Sequence, residues 1–153
     1  MSKLNKLIQE LCPNGVEYRK LGEVANLYNG YAFKSKLYSS TGIRIIRISD
    51  VQKGKISDKE CKYYPLDLER DILNYILYTD DIVISLTGNC GRVAMIEDIH
   101  HPVALNQRVA ALRVSRNILS KFLFYILDSD EFENKAMENA FGAGQKNLST
   151  KWI

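Results

Sequence analysis

At 153 residues the chain has the length of one domain and can bury a sizeable core. Its 46% hydrophobic and 25% charged residues exclude a disordered polymer, and no apolar run approaches the ~18 residues of a membrane-spanning helix. The net charge is only +3 but unevenly spread: residues 1–62 hold 12 Lys/Arg against 6 Asp/Glu, residues 63–112 hold 3 against 7. A basic first third can follow a phosphate backbone or be an ordinary solvated face.

In chain order, Ser2 is placed to cap a short helix whose apolar residues Leu4, Leu7, Ile8 and Leu11 keep helical spacing, and Pro13-Asn14-Gly15 ends it. This helix is expected to pack on the outside of the domain. Leu37 to Gly42 reads as a loop. Ile43 to Ile48 reads as a strand whose apolar phase shifts between Ile45 and Ile46, which implies a bulge or burial on both faces. Asp67 to Tyr78 fits either a helical turn or a strand. Ile82, Ile84 and Leu86 alternate with Val83, Ser85 and Thr87, Gly88-Asn89-Cys90-Gly91 turns, and Arg92 to Ile96 returns as the partner strand. Val103 to Leu105 and Arg108 to Val114 read as two more strands. Leu119, Phe122, Leu123, Ile126 and Leu127 mark a core-facing helix. Asp130 with Glu133 forms a capping pair for a second helix running to about Ala140. Strands in succession with helices near the ends predict a single α+β domain built on a mainly antiparallel twisted sheet with flanking helices.

Catalytic and metal chemistry find little footing. Cys12, Cys61 and Cys90 are odd in number and widely spaced, which points to a reducing cytoplasm rather than a disulfide framework. His100 and His101 are adjacent and lack metal-ligand spacing, so no metal is expected. Phe141-Gly142-Ala143-Gly144 echoes a glycine-rich cofactor turn but follows a polar helical stretch rather than a buried strand. It more simply ends that helix, with Gln145, Lys146 and Asn147 beside it as polar contacts, and no cofactor is expected. Asp50, Glu60 and Lys62 loosely match a metal-dependent nuclease, though Ser57 to Lys62 is polar and reads as an exposed edge.

Binding chemistry is better represented. Thr87-Gly88-Asn89-Cys90-Gly91-Arg92 lets backbone approach a phosphate or groove edge, with Asn89 and Arg92 in reach of polar atoms; the plain alternative is a hairpin turn. Asn106-Gln107-Arg108 holds residue types that read base edges, although Asn106 also suits a backbone-bonding role in the scaffold. Tyr28, Tyr31, Phe33 and Tyr38 are divided between stacking on bases and the core.

Several of these pieces recur in a fixed order: Leu21-Gly22-Glu23-Val24; Asn29-Gly30-Tyr31-Ala32-Phe33-Lys34-Ser35; Gly42 to Val51 with Gly54-Lys55-Ile56; Asp80 to Arg92; Leu105-Asn106-Gln107; and Phe141 to Ser149. In order and spacing they resemble a target-recognition domain of the specificity subunit of type I restriction–modification enzymes. The resemblance implies a non-catalytic domain that reads one half of a bipartite sequence in double-stranded DNA. It further implies partner modification (methyltransferase) and restriction subunits, with a second recognition domain or half subunit reading the other half. On this reading residues 1–15 are a lead-in and 16–150 the recognition domain. Residues 151–153 begin a connecting segment, so the chain looks like a half subunit, a natural truncation or an excised piece of a longer one. Lys34, Lys36, Lys53 and Lys55 are expected at phosphates, and Arg44, Asn89, Arg92 and Lys146 nearer bases.

Overall fold

A computed structural model describes residues 2–15, 17–97 and 99–153; Val16, where the resemblance begins, and the Leu4 side chain lie outside the described residues. Helix α1 (Lys3–Leu11) is capped by Ser2, whose Oγ accepts the Asn5 N–H at 3.2 Å. Its Leu7, Ile8 and Leu11 are exposed, so this face does not pack on the domain as expected. After the short helix α2 (Leu21–Val24), strands β1 (Ala25–Asn29), β2 (Ile43–Ile46), β3 (Val51–Gln52), β4 (Lys55–Ile56) and β5 (Lys62–Tyr64) follow. Strands β6 (Ile82–Ser85), β7 (Val93–Met95), β8 (Val103–Leu105) and β9 (Val109–Val114) precede helices α3 (Ser120–Leu127) and α4 (Asp130–Asn139).

The α+β architecture with mainly antiparallel strands and flanking helices is as expected, and its strands are distributed over three sheets. An antiparallel sheet runs β1-β9-β6-β7, a second runs β5-β2-β8 with β2 and β8 parallel, and β3-β4 is a small hairpin. These stack in layers. On one face of the four-stranded sheet, Ile82, Ile84 and Leu112 meet Leu123, Phe124 and Leu127 of α3. On its other face, Val83, Val109 and Ala111 meet Ile46, Val51 and Leu105. The outer side of the second sheet, with Ile43, Ile45 and Ala104, is closed by Phe33, Tyr64 and Ile72. This layering accounts for the phase shift at Ile45–Ile46, since β2 is buried on both faces and ends at Ile46. The same stacking buries all six residues of the alternating run at 82–87, since β6 lies between β9 and β7.

Three further local expectations change. Leu66–Tyr75 is a 3-10 segment that closes the core through Ile72. On α3 the buried residues are Leu123, Phe124 and Leu127, whereas Leu119, Phe122 and Ile126 are exposed. The apolar stripe is wider than the face the sheet covers. The cap of α4 is Ser129, whose Oγ accepts the Phe132 N–H at 3.2 Å, so Asp130 and Glu133 are free for other partners.

One buried charge anchors the four-stranded sheet. Asp81, at the start of β6, is 1% exposed and receives both Nε and Nη2 of Arg113 on β9 at 2.8 and 2.7 Å, plus the Tyr78 N–H at 2.9 Å. The Arg113 guanidinium lies between the Tyr28 and Tyr78 rings, 4.6 and 4.5 Å from their centroids, and its hydrogen bonds to Asp81 hold its pKa above the usual arginine value. Removing one partner of such a pair strands the other. Asp81→Ala is expected to lower the unfolding free energy by about 3 kcal/mol, read as a lower urea midpoint at unchanged slope.

Candidate nucleic-acid interface

Strand directions gather the connections at one end. β1 finishes, β9 starts, β6 finishes and β7 starts at the same edge, since Asn29 faces Ala110, Ser85 faces Val109 and Ile84 faces Val93. The parallel pairing of Ile46 with Leu105 brings the ends of β2 and β8 there too. The connections at 30–33, 47–50, 86–92 and 106–108 therefore share one end. The segment after α4 joins them: the Gly88 N–H donates to the Lys146 carbonyl at 2.9 Å, and the Leu148 N–H to the Leu86 carbonyl at 2.7 Å.

Two glycines make this convergence possible. Gly91 has φ +84° and presses against α4, where a Cβ would overlap that of Ala136; Gly30 lies against the Asn106 backbone in the same way. Within the 86–92 connection, Ser85 Oγ donates to the Asn89 carbonyl at 2.6 Å and accepts the Arg92 N–H at 3.1 Å. Cys90 is buried among Ala136, Ala140 and Leu148, and burial pushes its thiol pKa up, which keeps it protonated and unreactive. The segment is thus more than a plain hairpin: it is a long connection fixed against α4.

Between the connections lies a cleft of about 260 Å³ lined by Ser49, Gln52, Thr87, Asn89, Arg92 and Gln145, among others. Asn89 and Gln145 are exposed, and among the described residues neither side-chain amide is engaged in a hydrogen bond. Gln52 is partly committed, donating through Nε2 to the Ser49 carbonyl at 2.9 Å. Arg92 reaches Glu133 through Nε at 3.2 Å. Lys146 is exposed and donates to the Ala140 carbonyl at the end of α4, at 3.3 Å. Nearby, Gln107 and Arg108 are exposed, while Asn106 Oδ1 accepts the Arg108 N–H at 3.3 Å, a scaffold role.

The remaining site candidates stand elsewhere. Lys53 pairs with Asp130 and with Glu133, the latter at 3.2 Å; its hydrogen bond to Asp130 lowers the pKa of that carboxyl. Arg44 donates to the Ser57 carbonyl at 3.0 Å and pairs with Asp58 at 2.6 Å. Together with exposed Lys55 it lines a second, larger cleft of about 870 Å³ that also holds His100, His101 and Lys121. Lys34 and Lys36 are exposed on the connection from β1 to β2. The eight predicted residues are therefore split among four places, with Lys53 at α4, and the cleft at the loop end unites only Asn89 and Arg92, with Lys146 adjoining.

Gln52 and Ser49 were not legible as site residues, because nothing in the sequence ties the turn after β2 to the β6–β7 connection. Of the four aromatics, Phe33 is buried, Tyr31 packs on Phe33 and Tyr75 with centroids 5.0 Å away in each case, Tyr38 packs against the same core, and Tyr28 covers Arg113. The nuclease alternative finds no support. Asp50 is 2% exposed and its carboxylate is occupied by the Arg47 N–H at 2.9 Å, the Arg47 guanidinium at 3.3 Å and the Ser49 hydroxyl at 3.1 Å, so it shapes the turn; Glu60 and Lys62 are exposed.

Residues 13–153 match the family model described as the type I restriction modification DNA specificity domain. The chain belongs to this family. Over 145 residues it is 35% identical to the type I restriction enzyme EcoAI specificity subunit of Escherichia coli, covering 92% of this chain and 25% of that protein. It is 29% identical over 143 residues to the MjaVIII specificity subunit of Methanocaldococcus jannaschii, covering 90% of this chain and 34% of that one. It thus spans about a quarter to a third of the length of these relatives. The fold of this specificity domain also resembles a solved S subunit from M. genitalium (TM-score 0.59, 18% identity, 87% of this chain and 31% of that one). A chain from a solved type I R-M system gives a TM-score of 0.63 at 18% identity, covering 98% of this chain and 38% of that one. The nuclease alternative is accordingly set aside.

The tight fit of Gly91 predicts that Gly91→Ala destabilises the specificity domain by about 2 kcal/mol, from the strained positive φ and the clash with α4 together. Thermal unfolding of the variant beside Gly88→Ala, whose Cβ would meet open space, separates the two contributions.

Proposed function

We propose that the domain reads one half of a bipartite sequence in double-stranded DNA for a type I restriction–modification enzyme. It is non-catalytic on this reading. Methyl transfer and cleavage belong to partner modification and restriction subunits, and a second recognition domain or half subunit reads the other half-site. The observation that carries the reading is the gathering of polar connections at one end of a rigid layered core. Such an end can follow a groove while the sheets fix its shape, because loops on a stiff scaffold hold contacts in register.

Phosphate contacts fall to Lys34, Lys36 and Lys55, which are exposed. Lys53 and Arg44 reach DNA only by exchanging their carboxylates for phosphates, a competition that salt weakens on both sides. Asn89, Arg92 and Lys146 stand at the groove end, where base edges and phosphates are both in reach.

Binding to duplex DNA is expected to be weak and steeply salt-dependent, with a non-specific Kd on the order of micromolar or weaker. The double variant Lys34→Ala/Lys36→Ala should lower affinity alike on all sequences and reduce the slope of log K against log salt by roughly one to two. Fluorescence anisotropy across a salt series measures both. Tight binding indifferent to salt would overturn the phosphate assignment.

In the assembled enzyme, Arg92→Ala should cost about 1–3 kcal/mol on the preferred half-site and little on unrelated DNA if Arg92 reaches a base edge. Methylated motifs mapped side by side for wild type and variant decide it. An unchanged motif with unchanged methylation strength leaves Arg92 as a brace to Glu133 alone.

A further inference from the structure

The cleft at the loop end has a chemical bias beyond being polar. Among the described residues its side-chain hydrogen-bonding groups are hydroxyls, three carboxamides (Gln52, Asn89 and Gln145) and the Arg92 guanidinium, with no carboxylate in the lining. A carboxamide offers one donor and one acceptor side by side, which matches the N6 donor and N7 acceptor of adenine in the major groove. Carboxylates, the usual acceptors for the cytosine N4 amino group, do not line it among the described residues. Two of the amides are also unspent and well placed. Asn89 and Gln145 are exposed, and their chain neighbours Gly88 and Lys146 are joined by the 2.9 Å backbone hydrogen bond that locks the two connections together. Gln52 has given its Nε2 to the Ser49 carbonyl and shapes its own turn.

Resting on the DNA-reading function proposed above, we propose that Asn89 and Gln145 each read an adenine, at neighbouring positions of the half-site, by paired hydrogen bonds in the major groove. The rigid link between their connections fixes the spacing of the two bases. The close contact of Gly91 with α4 holds that link in place. Arg92, oriented by Glu133, stands beside them and is not needed for the adenine choice.

The test is selection of the full chain against a randomised duplex library at low salt, followed by sequencing of the bound fraction. Wild type should enrich a motif containing two neighbouring A·T pairs. Asn89→Ala and Gln145→Ala should each erase the preference at one position, a loss of roughly five- to a hundred-fold in discrimination. The unfolding temperature should stay as in wild type, since both side chains are exposed. Gln145→Glu should move its position from adenine towards cytosine, a change of preference that a merely structural role would not produce. If the variants enrich the wild-type motif, or the positions they alter are not adenine, the proposal is overturned. Failure of wild type to bind duplex DNA at all would instead overturn the DNA-reading function itself.

Discussion

The arrangement depends on how closely the β6–β7 connection approaches helix α4. Gly91 lies where a side chain would collide with Ala136, and both residues being small lets the helix settle onto the connection. Cys90 is buried against Ala136, Ala140 and Leu148, which extends the contact by a small apolar cluster. Because α4 is set down there, the segment leaving it passes alongside the connection, and the two are stitched by hydrogen bonds from Gly88 to Lys146 and from Leu148 to Leu86. Replace the close contact by an ordinary one, with helix and backbone a methyl group further apart, and the polar residues at 89 and 145 no longer share a cleft. Packing between α4 and the β6–β7 connection thus decides the geometry of a surface to which the connection contributes Asn89 and Arg92 and the helix no residue.

The layers behind that surface give it stiffness. The four-stranded sheet is buried on both faces, one under α3 and the other under the second sheet. Strands buried on both sides tolerate little change of register, because a shift of one residue would exchange the two cores. The parallel pairing of β2 with β8 matters for a similar reason. It brings the turn after β2 to the end where β6 and β9 meet, and Asp50 then fixes that turn by accepting the Arg47 N–H and the Ser49 hydroxyl.

Strand and helix positions were largely legible because they rest on local pattern. The strands at 43, 82, 93, 103 and 109 and the helices after Ser2, Leu119 and Ser129 all appear near their expected places. What failed depended on neighbours. The alternation of Ile82, Ile84 and Leu86 with Val83, Ser85 and Thr87 gave no sign that β6 is a central strand with a second sheet stacked on it. The stripe from Leu119 to Leu127 was broader than the face that α3 buries, and Phe124, left out of the stripe, is buried. Among the charged candidates, Arg44, Lys53 and Arg92 looked alike as cations, while the partners that engage them lie 14, 77 and 41 residues away, at Asp58, Asp130 and Glu133. Ion pairs at such separations leave no trace in local composition, so a count of basic residues overstates the cations free to meet a phosphate.

That pairing bears on how the proposed reader would choose its site. A domain that left every cation free would gain affinity for any duplex through counterion release, with no gain in discrimination. Here three of the eight predicted contacts are neutralised within the fold, and the net charge stays at +3. Glu133 in particular holds both Lys53 and Arg92. Binding that draws on them must compete with a carboxylate already in place, so non-specific attraction is discounted at the edge of the cleft. The exposed amides carry no such discount and no net charge. Their contribution arises only when the facing base presents matching donors and acceptors, which moves the balance from attraction towards selection.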